Sequence, residues 1–218
     1  MHCELCNQHN LKPFYQYINK YCNKLYNRIY YRCHQCELIF LDKNLRLSLE
    51  EERHRYDQHN NTIKDASYLQ FLDKLLVKLT PHLSSQSKGL DYGCGPSVVL
   101  AKYLEEKGFA TTHYDPIFYP NPTALKKQYD FITCTEAMEH FFHPSTELQR
   151  IHNLLQTNAH LGVMTSLYEK PQDFPLWHYH RDITHVSFYS KNTMHWIAKY
   201  FNWKILFLSS RMVIFQKQ

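Results

Sequence analysis

The stretch Leu90-Asp91-Tyr92-Gly93-Cys94-Gly95 narrows the choice of fold more than any other part of this chain. It reads as a strand that runs into a glycine turn and from there directly into a helix. Ser97 supplies a helix N-cap, and Val98, Val99, Leu100, Ala101 and Leu104 follow as an apolar stripe. Glycines at 93 and 95 let the backbone turn tightly and approach a ligand with no side chain in the way. The helix start beyond them offers amides that favour an anionic or carboxylate group. A glycine turn alone fits several ligands, so the remaining chain has to choose among them.

Strands and helices alternate from Lys88 onward. A helix over 98–107 stops at Gly108, and a strand over 110–114 leaves Asp115 at its end. Another strand covers 129–133, a helix carries Leu148, Ile151, Leu154 and Leu155, and a further strand spans 161–165. This βαβ rhythm predicts an α/β fold, a parallel sheet with helices on both faces. Ser190 caps a helix through Trp196 and Ile197. The segments 203–208 and 212–215, joined by Ser209, Ser210 and Arg211, read as an antiparallel hairpin that closes the sheet.

Four of the seven cysteines form two C-x-x-C pairs, Cys3 with Cys6 and Cys33 with Cys36. Each pair can make a knuckle whose thiolates meet one ion, and two knuckles complete a tetrahedral four-sulfur zinc site with no open position for chemistry. Between them, 15–21 and 28–32 are rich in β-formers and suit a hairpin ribbon. A segment this short needs the metal to fold, since binding supplies on the order of 10 kcal/mol or more. Disulfides or redox-active dithiols are the competing reading. Cys22, Cys94 and Cys134 have no such pairing and read as ordinary small side chains.

The segment 50–61 is polar and crowded with charge, a linker or a cover in which Arg55, Tyr56, His59 and Asn60 could line a cleft. Helical period returns over 67–79, and Pro81 stops it. The expected division is a zinc ribbon over 1–48, a linker or cover over 49–66 and the main domain over 67–218. With 218 residues, 44% hydrophobic and 21% charged, the chain can bury one full core with a small appendage. No apolar run approaches the roughly 18 to 20 residues that cross a bilayer, and Met1-His2-Cys3-Glu4 lacks the parts of a signal peptide. The expectation is a cytoplasmic protein with no membrane partner. A net charge of +5 is too mild to assign a nucleic-acid partner or to oppose one.

Over roughly residues 65–218 the chain resembles the class I S-adenosylmethionine-dependent methyltransferases, whose sheet is Rossmann-like. Asp91, Gly93, Cys94 and Gly95 match the family's first motif, an acidic residue followed by G-x-G, where the loop contacts the methionine part of the cofactor. Asp115 matches the acidic end of the second strand, where the resemblance implies a carboxylate that accepts both ribose hydroxyls, with Pro116 beside it. Tyr129-Asp130-Phe131-Ile132 resembles the fourth motif, which places Thr135 and Glu136 at the cofactor. A nicotinamide enzyme shares the first two features, but its fingerprint has a third glycine where this chain has Ser97 or Val98. Two departures from the family stand out. Between Asp115 and Asp130 only a short Pro-rich connection fits, so the third strand is expected to be reduced or lost. Asn158, Ala159 and His160 replace the usual glycine pair before the fifth strand.

Glu136-Ala137-Met138-Glu139-His140 follows the fourth strand. On a helix, Glu136, Glu139 and His140 would share one face and could hold a divalent ion. The E-x-x-E-H pattern resembles that of methyltransferases of small RNA ends and of ubiquinone precursors, which implies that His185, in Thr184-His185, completes the set. The alternative is that Glu136 and His140 hydrogen-bond the cofactor without metal. The polar and aromatic segment 177–189 is expected to face the substrate, with His185 or His180 as base; surface histidines and packing aromatics are the plainer reading.

Three functions stay open on these residues. The first is methyl transfer to a hydroxylated small molecule, a metabolite or sugar. The second is RNA methylation, with Lys12, Lys20, Lys24, Arg28 and Arg32 and with Tyr15, Tyr17, Tyr30 and Tyr31 of the ribbon as phosphate and stacking contacts. The third is a cofactor-binding scaffold without catalysis.

Overall fold

In the computed structural model, residues 1–21, 23–56, 63 and 65–218 are described. Cys22, His59 and Asn60, which the sequence singles out, lie outside the described residues.

The ribbon is a hairpin of β1 (Pro13–Tyr21) and β2 (Lys24–Arg32), with β3 (Ile39–Leu41) on the far side of β2. Period-two alternation sorts its side chains. Ile18 and Leu25 face outward, while Arg28 and Tyr30 are fully buried. Those two are therefore not available as phosphate or stacking contacts. β3 then pairs antiparallel with β9 (Ser187–Ser190), matching Ile39 to Phe188 and Phe40 to Ser187. β9 also pairs in parallel with β8 (Leu167–Tyr168), so the ribbon is part of a five-stranded sheet ordered β1-β2-β3-β9-β8.

After the ribbon come α1 (Leu49–Tyr56) and α2 (Ala66–Leu79), the latter capped by the Asp65 carboxylate, which accepts from the N–H groups of Ser67 and Tyr68. The large sheet contains β4 (Lys88–Tyr92), β5 (Ala110–Tyr114), β6 (Tyr129–Thr135) and β7 (Leu155–Met164), all parallel. The hairpin of β10 (Trp203–Leu208) and β11 (Met212–Lys217) adds antiparallel to β7. The order is β10-β11-β7-β6-β4-β5. It ends at β5, and 116–128 carries a single turn of 3₁₀ helix, Ala124–Lys126. Among the described residues no strand lies beyond β5, so the third strand is absent.

Helices cover both faces. On one side α2 and α3 (Val99–Glu106) bury Leu72, Leu75, Leu79, Leu100 and Leu104 against Phe131 and Ile214. On the other, α4 (Pro144–Leu154) and α5 (Lys191–Phe201) bury Leu148, Ile151, Met194 and Ile197 against Ile132, Val213 and Phe215. Neighbours in one strand thus serve opposite cores, and each buried side chain of this size stabilises the fold by about 1.5–3 kcal/mol. Two boundaries differ from expectation. Ser97 does not cap α3: the residue before the helix is Val98, in left-handed geometry (φ 51°) with no side-chain cap. Leu155 leaves helical geometry (ψ 133°) and starts β7.

Candidate active site

The carboxyl ends of β4, β5 and β6 open into two contiguous cavities. Gly93 (φ 79°) and Gly95 (φ 62°) line both, and a Cβ on Gly93 would sit 2.6 Å from that of Ala137. Glycine is required there on conformation and on space. Asp91 is buried behind the turn and accepts from the Thr133 hydroxyl at 3.0 Å; burial pushes its carboxyl up to about 7. Asp115 stands at the end of β5. Its Oδ1 accepts from the N–H groups of Ile117 (2.8 Å) and Phe118 (3.0 Å), and its Oδ2 from that of Gly95 (3.1 Å). The larger cavity, about 650 Å³, is lined by Asp115, Pro116, Ile117, Phe118, Phe141 and Phe142, and from α1 by Glu52 and Arg53. The smaller, about 270 Å³, is lined by Asp91, Cys94, Thr135, Glu136, Glu139, His140 and His185.

The Glu136 to His140 segment is not an α-helix. Glu136 is left-handed (φ 47°), and only Met138–His140 form a 3₁₀ turn. Glu136 therefore leaves the trio expected from helical spacing. The ligand atoms that converge belong to Glu139, His140 and His185, all within 4.8 Å of one another. Nδ1 of His140 lies 3.2 Å from the Thr184 carbonyl and Nδ1 of His185 lies 2.7 Å from that of Tyr179. Those contacts fix the tautomers and put the basic lone pair of each ring on Nε2. Glu139 is fully buried, its Oε2 has no hydrogen-bond partner, and burial, with Glu136 adding repulsion, pushes its carboxyl up to about 8. The Tyr179 hydroxyl donates to Glu139 and lies 3.4 Å from Glu136, linking the two carboxylates.

Burial pushes the His185 imidazole down to about 4, against the pull of Asp182. Burial also opposes ionisation of Asp182, but His185, the N–H and O–H of Thr184 and Arg55 outweigh it and hold its carboxyl below the usual range. His180 does not reach the cavity. It is buried against Phe174 (centroids 4.8 Å apart) and among Tyr15, Tyr17 and Tyr30, so it packs the ribbon and is not placed to serve as the base.

A family profile described as a methyltransferase domain matches residues 58–207. The chain belongs to that family. No curated protein matches the sequence of this methyltransferase. Among solved structures, 1,6-didemethyltoxoflavin-N1-methyltransferase of Burkholderia thailandensis, holding its substrate and S-adenosylhomocysteine, is 13% identical, with 88% of this chain and 96% of that chain covered and a TM-score of 0.50. Magnesium protoporphyrin IX methyltransferase of Synechocystis PCC 6803 is 11% identical, with 78% and 95% covered and a TM-score of 0.47. YcgJ of Bacillus subtilis is 15% identical, with 63% and 71% covered and a TM-score of 0.48. The methyltransferase shares the class I fold with the first of these.

At the other end of the methyltransferase, Cys3, Cys6, Cys33 and Cys36 bring their sulfurs within 4.8 Å of one another. Cys3 and Cys36 are 3.5 Å apart and Cys6 and Cys33 are 3.4 Å apart, too far for disulfides, and the cysteines are free. The N–H groups of Leu5 and Gln35 point at Cys3 and Cys33, each at 3.4 Å, as knuckles require. Four sulfurs at this spacing fit a zinc ribbon, because a cation between them relieves their mutual repulsion. No helix of the methyltransferase is long and apolar enough to cross a membrane. Sequence reasoning assigned no role to Tyr179 or Glu52. Tyr179 lay within the segment it singled out, whereas nothing distinguished Glu52 from its acidic neighbours.

Proposed function

We propose that this methyltransferase moves the methyl group of S-adenosylmethionine to a hydroxyl of a small molecule, a metabolite or sugar. The observation that carries this reading is the convergence of Glu139, His140 and His185 on the cavity that the glycine turn also lines. In this reading Gly93, Cys94, Gly95, Thr135 and Glu136 border the methionine part, Asp91 braces the turn, and Asp115 and Pro116 hold the adenosine. The Cys3, Cys6, Cys33 and Cys36 set holds structural zinc. Residues 1–48 then form the ribbon and 67–218 the transferase domain, and within 49–66 α1 serves as a cover over the cofactor; Glu52 and Arg53 on the wall of the larger cavity favour a cover over a linker.

A sulfonium is already a good leaving group, so the protein's work is to align acceptor oxygen, methyl carbon and sulfur and to exclude water. The oxygen–carbon bond forms as the carbon–sulfur bond breaks, and, with no cation bound, the hydroxyl proton passes to Nε2 of His185, the ring nitrogen that the Nδ1 contact to the Tyr179 carbonyl leaves free. Glu139, His140 and His185 are also the donors that would hold a divalent cation, and such a cation would lower the pKa of a hydroxyl bound to it. Glu139, with its orphaned Oε2, fits that role. Burial of Arg28 and Tyr30 favours the small molecule over RNA.

The experiment is label transfer from methyl-tritiated S-adenosylmethionine to a panel of hydroxylated metabolites and sugars. His185→Ala should bind S-adenosylhomocysteine as the parent does while turnover falls about 10²- to 10⁴-fold. Unchanged turnover in that variant, or label recovered on an amine nitrogen, defeats the reading.

A further inference from the structure

We propose that Glu52, carried by α1, is the second carboxylate for the ribose diol of the adenosyl cofactor, accepting the hydroxyl proton that Asp115 cannot. The proposal rests on reading the larger cavity as the adenosine site, and it follows from counting acceptors. An ionised carboxylate has about four lone-pair positions, two on each oxygen. In Asp115, Oδ1 already accepts from Ile117 and Phe118, and Oδ2 from Gly95. One position is left. A vicinal diol brings two donors, so by this count a second acceptor is wanted beside Asp115.

Glu52 is the acceptor that remains. It is 5% exposed and lines the same cavity as Asp115; its N–H donates to the Ser48 carbonyl, and its carboxylate makes no hydrogen bond to any described residue. The charges that act on it are Asp115, which raises its pKa further beyond the effect of burial, and Arg46, which opposes them and whose guanidinium lies 3.3 Å from Glu4. A buried carboxylate facing another across a cavity is costly unless donors arrive between them. Two hydroxyls on adjacent ribose carbons are such donors. Phe118, Phe141 and Phe142 on the same wall give an adenine ring apolar surface beside them.

Titration calorimetry at pH 8 with S-adenosylhomocysteine and with its 2′-deoxy and 3′-deoxy analogues tests this on the full chain. The parent should bind S-adenosylhomocysteine and bind each deoxy analogue about tenfold or more weakly, the cost of one charge-assisted hydrogen bond. Glu52→Gln should weaken S-adenosylhomocysteine by a similar factor and stop discriminating against one analogue while still discriminating against the other. Asp115→Asn should show the opposite choice. The glutamine is isosteric and neutral, so its melting temperature without ligand should be no lower than the parent's. Parent-like affinity in Glu52→Gln, or equal losses on all three ligands, overturns the proposal while leaving the methyltransferase reading intact. A parent that does not bind S-adenosylhomocysteine overturns both.

Discussion

The six-stranded and five-stranded sheets are held together by different means. The large sheet is built from contiguous βα units and sandwiched between two layers of aliphatic side chains, so its cofactor edge follows from local sequence and non-directional burial. The ribbon sheet buries a smaller cluster, mostly aromatic, that includes Tyr30, Ile39, Phe174 and Phe188, and adds to it a four-cysteine cluster at one end and polar contacts to a distant segment at the other. Arg28 donates to the Ile183 carbonyl (2.9 Å) and to that of His185 (2.7 Å), Tyr30 to the His180 carbonyl (3.2 Å), and Asn19 to that of Arg181 (2.8 Å). The histidine-bearing segment that borders the proposed acceptor site is therefore held by the ribbon, while the cofactor turn is held by the sheet. The two halves of one reaction can therefore be perturbed separately: damage to the ribbon should appear in turnover before it appears in cofactor affinity.

The largest test of that separation is removal of zinc. Chelation, or Cys33→Ser, should unfold the ribbon, since metal binding supplies on the order of 10 kcal/mol to such a unit. With β3 lost, β9 loses a neighbour, and turnover should disappear. Affinity for S-adenosylhomocysteine should fall no further than the loss of α1 and Glu52 allows. Zinc content, near-ultraviolet circular dichroism and calorimetry follow the three quantities. Full turnover in zinc-free protein would break the comparison.

A smaller perturbation acts at one residue. Arg28→Lys keeps a charge but cannot span two carbonyls and the Tyr30 hydroxyl together, so it should cost about 2–4 kcal/mol of stability. Turnover should fall and the acceptor KM rise, with the Kd for S-adenosylhomocysteine unchanged, because none of these contacts reaches the glycine turn. A parallel loss of cofactor affinity would show that the two sheets are coupled more tightly than their contacts imply.

The same division explains what could be read from sequence. Period two places Phe131 and Ile132 in opposite cores, and a strand end places Asp115 at the cavity, because both depend on residues close together in the chain. The C-x-x-C spacing marks each cysteine pair for the same reason, although the meeting of the two pairs spans distant parts of the chain. Helical spacing misplaced Glu136, since no period distinguishes an α-helix from a left-handed residue followed by a 3₁₀ turn. Ser97 has the chemistry of a cap, but the chain turns one residue later at Val98. His180 and the pairing of β3 with β9 depend on contacts between distant parts of the chain, and only the fold reveals them. Glu52 was hidden for the opposite reason: among Glu50, Glu51 and Glu52 the sequence shows three equal acids, and only burial separates one of them.

That burial yields the smallest and most local prediction. Burial first, and then Asp115, push the Glu52 carboxyl up to about 7, while Arg46 opposes them. A carboxyl whose folded pKa lies above its unfolded value of 4.5 binds protons more tightly in the folded chain. Below pH 4.5 it is protonated in both states and contributes no penalty. Between 4.5 and about 7 the folded state holds the extra proton, so stability falls as pH rises; above about 7 the penalty is complete, at roughly 3 kcal/mol. Glu52→Gln removes it. Without ligand, the melting temperature of the variant should match the parent's near pH 4.5 and exceed it by about 5–10 °C at pH 8. Saturating S-adenosylhomocysteine should shrink the gap, because ribose donors satisfy the ionised carboxylate in the parent alone. A gap that does not change with pH would mean that the glutamine acts through packing, and that Glu52 does not carry the buried charge on which the cofactor side of the comparison depends.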